Sequence, residues 1–200
     1  MNKATPSLFA PFAHTTFRNI WFASIASNLG TNIQNVGAAW MMTSISNSES
    51  MVALVQASTT LPVMLFALVA GAIADSFDRR RVILAAQGFM FAVAVALALA
   101  AVAGVITPWM LLAFTFLIGS GNALNNPSWQ AAVGDMVPRS DVPGAVTVNS
   151  VGFNITRSVG PAVGGTIVAI GGAAAAFVVN ALSYLGLLTG HIPKWHGFWY

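Results

Sequence analysis

The chain contains no cysteine, which excludes disulfides and thiolate metal sites and leaves the redox compartment open. Charge is scarce as well. Only 6% of its 200 residues are Asp, Glu, Lys or Arg, against about 25% in an ordinary soluble domain, and a water-facing surface cannot be built from so few. Val82 to Gly134 contains none in 53 residues. That is enough for two membrane crossings and a turn, because a helix needs about 20 apolar residues to cross a hydrocarbon core roughly 30 Å thick. There is no G-x-x-x-x-G-K-[ST] loop, so ATP is not bound and hydrolysed in that way. No expected span carries His, Asp or Glu at depth, so an intramembrane protease would lack its serine–histidine pair or paired aspartates, and no enzyme is expected. His14, His191 and His196 lie outside the spans without a carboxylate nearby in sequence, so neither a metal site nor a cofactor is expected.

What is present is apolar: 56% of residues are hydrophobic and the mean hydropathy is +0.76. Length and breakers predict an all-α membrane protein with six transmembrane helices, over about 19–43, 51–74, 82–103, 109–134, 142–170 and 173–189. A cytoplasmic segment, 1–18, precedes them and an atypical tail, 190–200, follows. The boundary between the last two spans is set only by Gly171-Gly172, within a run free of charge from Ser158 to Gly190. Met1 to Arg18 has no apolar region ending in a small-residue cleavage site, so the first span is expected to be retained.

The formal net charge of +3 and pI near 10.0 would suggest nucleic acid in a soluble protein. Here the basic residues fall in short loops, where they set topology, and no nucleic-acid partner is expected. Lys3 and Arg18 precede the first span, Arg79, Arg80 and Arg81 follow the second, Arg139 follows the fourth and Lys194 the sixth. The other three loops have no Lys or Arg, only Glu49. Seven basic residues against none place both termini in the cytoplasm, with the chain multi-pass in the plasma (inner) membrane. Only Arg157 is left within a span. A cation there costs at least ~2.5 kcal/mol, so it should face a cavity or a partner. Ser150, Asn154, Arg157 and Pro161 recur at i, i+4, i+7 and i+11, on one face. Arg157 reads either as a cavity cation, for an anionic substrate or for proton coupling, or as a strut to a helix end or to Asp135. Asn28, Asn32 and Asn35 share one side of the first span, and Asn122, Asn125, Asn126 and Trp129 one side of the fourth. Stacked amides are costly toward lipid, so both faces should look inward, as a water-filled path or as interhelical hydrogen-bond glue.

The stretch Gly71-Ala-Ile-Ala-Asp75-Ser-Phe-Asp78-Arg79-Arg80-Arg81 resembles the loop signature G-x-x-x-D-(R/K)-x-G-(R/K)-(R/K) of the major facilitator superfamily. Ser76 replaces the usual base and Asp78 the second glycine. The D-x-F-D-R-R-R form is similar to siderophore exporters of the enterobactin-exporter type. Phe17-Arg-Asn-Ile-Trp21 with Ser27-Asn-Leu-Gly30, Gly121-Asn-Ala-Leu-Asn-Asn-Pro127 and Phe153-Asn-Ile-Thr-Arg157-Ser-Val-Gly-Pro161-Ala-Val-Gly-Gly165 support the same branch. The resemblance implies a secondary-active, proton-driven efflux permease for a siderophore or drug. It also implies a gate in the loop cluster, with Asp135 at the second charged cluster, that locks one face shut. Asp75, near a helix C-terminus where the dipole disfavours an anion, needs a partner, which Arg79 or Arg80 can supply. Gly71 should let another helix approach. Gly160, Pro161, Gly164 and Gly165 resemble part of an antiporter signature, with a proline kink as the alternative role.

Members of this superfamily have two six-helix halves, and this chain has the length of one. It is therefore expected to be an N-terminal half, truncated or frameshifted. The alternatives are a half-transporter that pairs with a second copy or another chain, and a non-transporting scaffold or remnant. The lipid bilayer and a small-molecule substrate are the expected partners, with a missing C-terminal half or a second copy completing the cavity.

Overall fold

The computed structural model describes residues 8–189. Lys3, Lys194, His191, His196 and the expected tail lie outside the described residues. A short 3-10 turn, Ala10–Ala13, leads into α1 (Thr15–Ile45), α2 (Glu49–Ser76), α3 (Arg79–Val102), α4 (Pro108–Asp135) and α5 (Val142–Thr189).

The helix ends follow from local chemistry. Asp78 caps α3, its carboxylate accepting from the Arg80 N–H at 2.9 Å and the Arg81 N–H at 3.3 Å. α3 closes on Gly104, at φ 70°, whose N–H donates to the Ala101 carbonyl while the Val105 N–H reaches back to that of Ala100. Thr107 caps α4, accepting from the Met110 N–H at 3.3 Å, with Pro108 in the first turn where no donor is missed.

The expected fifth and sixth spans are one element of 48 residues, interrupted only at Gly172 (φ 74°, ψ 176°). A side chain is almost never tolerated there. The register against α1 shows what this one residue does. Gly152, Gly160 and Gly164 approach Ile25, Asn32 and Val36 in turn, so the first arm of α5 runs parallel to α1. Beyond Gly172, Ala176 approaches Gly37 and Ser183 approaches Gly30, so the second arm runs back antiparallel. The chain reverses at Gly172.

α2 runs alongside α4 in parallel, with Ser58 on Thr115 and Pro62 near Gly119, and α4 returns antiparallel along α3, with Asn125 on Gln87 and Gly121 on Met90. These pairings bring the starts of α1, α3 and α5 and the ends of α2 and α4 to one end of the bundle. There Phe17, Ile20, Ile83, Val133, Met136 and Leu187 pack together. Toward the other end a larger core forms from Met42, Val55, Met90, Leu97, Leu111, Ile118 and Phe177. Arg18, Arg79, Arg80, Arg81 and Arg139 all fall at the first end, and Glu49 starts α2 at the other.

By length and composition α2, α3 and α5 are apolar enough to cross a membrane. α1 and α4, at 31 and 28 residues, have the length, but amides and hydroxyls lower their apolarity. Met64 and Leu68 on α2 are 77% and 89% exposed, an outward apolar face, whereas Met90 is buried.

Candidate functional site

Polar side chains in an apolar bundle must find one another or water, and here they collect around two hollows. The first, of about 560 Å³, lies between α1, α3, α4 and α5. Asn28, Asn122, Asn125, Asn126, Trp129, Ser150 and Asn154, all expected from the sequence, line it. Hydrogen bonds orient several of them. Trp129 Nε1 donates to Asn149 Oδ1 at 3.1 Å, Gln87 Nε2 to Asn125 Oδ1 at 3.2 Å, and Asn28 Nδ2 to Ser24 Oγ at 3.3 Å. Asn154 Nδ2 donates to the Ser150 carbonyl at 3.0 Å. Gln87, Gln130 and Asn149 also line the cavity and were not among the expected residues. Gln87 had a signal: it is the one amide in the otherwise apolar run from Val82 to Ala103. It is buried, and its Oε1 has no partner among the described residues.

The second hollow, about 580 Å³ and wider open, lies one helical turn further along α1 and α5. Asn32, Asn35, Arg157 and Pro161 line it, joined by Gln56 of α2. The expected polar face of α1 is thus divided between two hollows: Asn28 belongs to the first, Asn32 and Asn35 to the second. Asn32 Nδ2 donates to the Asn28 carbonyl at 2.8 Å, bridging them. The strut from Arg157 to Asp135 is not formed: Asp135 lies at the end of α4 and pairs with Arg79, while Arg157 lies in the middle of the first arm of α5. Among the described residues Arg157 has neither an ion pair nor a hydrogen bond.

The helix-five glycines divide by side. A Cβ on Gly160 would meet Asn32 Cβ at 2.5 Å, and one on Gly164 would meet Ile33 Cα at 3.1 Å, so both let α5 press on α1. A Cβ on Gly165 would meet nothing within 4 Å. Helix continues through Pro161, and the non-helical backbone is at Gly172.

The loop cluster departs from expectation at two points. Asp75 is not paired with Arg79 or Arg80; it is exposed and has no partner among the described residues. Arg79 reaches across to Asp135 because α3 and α4 are antiparallel and their ends meet, and Asp78 is committed to the α3 cap. Gly71 is not a close approach: a Cβ there would meet nothing within 4 Å. Arg80 and Ile83 border a small pocket that shares Gln87, Trp129 and Leu187 with the amide-lined cavity, so these three side chains separate that cavity from the basic end.

His14, solitary in the sequence, bonds through Nε2 to Asp141 Oδ2 at 3.0 Å, tying the entry of α1 to that of α5. Among the described residues no group of three or more His, Asp or Glu gathers. The hydrogen bond to His14, then that from Ser140, lowers the Asp141 carboxyl below its ordinary value of 3.8. A carboxyl depressed on folding stabilises above its unfolded value, and the contribution is lost as pH falls through the lower folded one. Melting temperature in detergent should therefore lose an increment below pH 3.8. Asp141→Asn should remove that acid-side slope; an unchanged profile would show that the contact contributes nothing.

Residues 6–197 match the model of the transmembrane secretion effector family of the major facilitator superfamily. The chain belongs to this family. It is accordingly a membrane protein of a transporter family rather than an enzyme family. This major-facilitator chain is 28% identical to the staphyloferrin A transporter of Staphylococcus aureus over 78% of its own length and 40% of that protein's. It is 27% identical to the multidrug efflux pump Tap of Mycobacterium tuberculosis, over 82% and 41% of the two chains. With the uncharacterised transporter YkuC of Bacillus subtilis it shares 24% identity, over 92% and 43%. The chain thus spans 40–43% of the length of these curated relatives.

Proposed function

We propose that this chain is the N-terminal half of a secondary-active efflux permease that exports a small molecule, such as a siderophore or a drug, driven by the inward flow of protons down their gradient. Six spans cross the plasma (inner) membrane, with both termini cytoplasmic. The reversal at Gly172 supports two crossings within α5, and the gathering of the described loop arginines at one end supports the orientation. A second six-helix unit, from further polypeptide or a second copy, completes the two hollows. The observation that carries the reading is the amide-lined cavity itself: its volume falls in the range of ligand sites, and packing alone would not leave so many hydrogen-bonding groups around open space.

Asn125 and Asn154 bind substrate along the path, and the contact of Arg79 with Asp135 closes the cytoplasmic end. Two of the relatives are named for a siderophore and for multidrug efflux, which supports the substrate range. The test is transport by proteoliposomes holding the full chain under an imposed proton gradient, with a panel of siderophores and ethidium. Gradient-dependent movement is expected, and Asn125→Leu should slow it by about tenfold, the loss of one or two hydrogen bonds. A chain that neither moves nor binds any of the panel would overturn the reading. Binding without movement would mark an incomplete permease, and movement indifferent to Asn125→Leu would place the path elsewhere.

A further inference from the structure

A primary amide has a carbonyl that accepts and an NH2 that donates, so a partner of one kind only decides which end is left for a ligand. Trp129 is such a partner. Its indole N–H can only donate, and it donates to Asn149 Oδ1 at 3.1 Å. Asn149 Nδ2 has no partner among the described residues and is not sealed from the cavity, so Asn149 offers the cavity a donor. Asn154 is fixed the opposite way. Its Nδ2 is spent on the Ser150 carbonyl at 3.0 Å, which can only accept, and its Oδ1 is left free.

Two further pairs repeat the division. Gln87 Nε2 occupies Asn125 Oδ1 at 3.2 Å and leaves the Asn125 NH2, while Ser24 Oγ takes Asn28 Nδ2 at 3.3 Å and leaves the Asn28 carbonyl. The four free ends are sorted by depth. Counted along the helices from the basic end at about 1.5 Å per residue, Asn149 lies about 10 Å in, Asn125 about 15 Å, Asn154 about 18 Å and Asn28 about 20 Å. The two donors are thus nearer the basic end and the two acceptors deeper. Asn122, Asn126 and Gln130 line the same cavity without a hydrogen bond among the described residues, so they can turn either end to a ligand. Direction is set by the four fixed amides.

We propose that the amide-lined cavity is a directional hydrogen-bonding site, in which Trp129 is the positioning residue that holds Asn149 as a donor. It takes a ligand whose carbonyl or ether oxygen points toward the basic end and whose N–H or O–H group points toward the middle of the bundle. Asn149 and Asn125 donate to the first group, and Asn154 and Asn28 accept from the second. This rests on the transport reading above and specifies how its site orients a substrate. Selection comes from hydrogen-bond direction, so it operates on molecules without charge.

The test is equilibrium binding of three flat, neutral, fluorescent probes to the full chain in nanodiscs, measured against nanodiscs without it. Acridone carries a carbonyl and an N–H at opposite ends; N-methylacridone keeps only the carbonyl, and carbazole only the N–H. Acridone should bind about tenfold more tightly than either, the loss of one hydrogen bond. Asn149→Leu should weaken acridone and N-methylacridone and spare carbazole. Asn154→Leu should weaken acridone and carbazole and spare N-methylacridone. Trp129→Phe keeps a ring beside Gln87 and Leu187 but releases Asn149, so it should follow Asn149→Leu with a smaller loss. A role for Trp129 in packing alone would weaken all three probes together. If each variant does that, or if Trp129→Phe leaves the ranking unchanged, the proposal falls and the transport reading stands. If no tricyclic probe binds while a siderophore or ethidium is transported, the proposal again falls alone. If nothing binds or moves, the transport reading fails and this proposal with it.

Discussion

Gly119→Ala is expected to destabilise the folded bundle by about 1–3 kcal/mol, and Gly119→Val to abolish well-folded protein, the range for forcing extra carbon into a packed interior. The reason is the crossing of α2 and α4. A Cβ at position 119 would meet the Thr59 carbonyl oxygen at 2.6 Å and Pro62 Cγ at 3.1 Å. The first is backbone, so no rotamer change relieves it; the helix itself must move. It cannot move freely, because one turn earlier on α4 Thr115 is hydrogen-bonded to Ser58 at 2.6 Å. Widening the crossing would therefore break that bond as well. Gly88 supplies the control. It also lies inside a helix, but a Cβ there would meet nothing within 4 Å. Gly88→Ala should be neutral or stabilising by up to about 1 kcal/mol, from the higher helix propensity of alanine. Unfolding of the purified variants by SDS titration, followed by circular dichroism, separates them. Equal stability of the two alanine variants would mean that the α2–α4 crossing has room for a methyl group at position 119.

The contrast between these glycines marks a limit on what can be read from the chain. Both interrupt apolar runs, and nothing in the sequence says which one touches a neighbour. Gly71 shows the same limit: a close approach was expected there, yet the space beside it is open. By contrast, the polar faces were legible, because an amide turned toward lipid has no compensating partner. Asn122, Asn125, Asn126 and Trp129 do line one cavity with Asn28 and Asn154. The break near Gly172 was legible for a similar reason, since paired glycines end an otherwise uninterrupted apolar run.

Long-range pairing was not legible. The loop cluster suggested a local contact for Asp75, but Arg79 is used by Asp135, 56 residues away. His14 and Asp141 are 127 residues apart. Such pairs depend on which helices are antiparallel neighbours and on their register, and composition and spacing fix neither. Asn149 was missed on a smaller scale. It lies on the same broad face as Ser150, but counting in steps of three and four from Ser150 passes over it.

Asn180→Leu is expected to cost about 2 kcal/mol, near the middle of the range for a buried amide left unpaired. Asn180 Nδ2 donates to Gln34 Oε1 between the second arm of α5 and α1, and both residues are 0% exposed. Gln34 Nε2 already lacks a partner among the described residues, so removing Asn180 would leave the whole Gln34 amide unsatisfied. The opposing consideration is that hydrogen bonds between membrane helices average only about 0.6 kcal/mol, because the unfolded state in the membrane finds other partners. Here the orphaned-group penalty should dominate, because Gln34 is fully buried. That reasoning fixes a sign for the double variant. Gln34→Leu removes an amide that is only half satisfied, and Asn180 would keep the Ser183 hydroxyl, 3.3 Å from its Oδ1. With both changed to leucine no amide is left in the gap. The double variant should then unfold at a higher SDS fraction than Asn180→Leu alone. If the two losses simply add, each amide is satisfied independently and the coupling across α1 and α5 is absent.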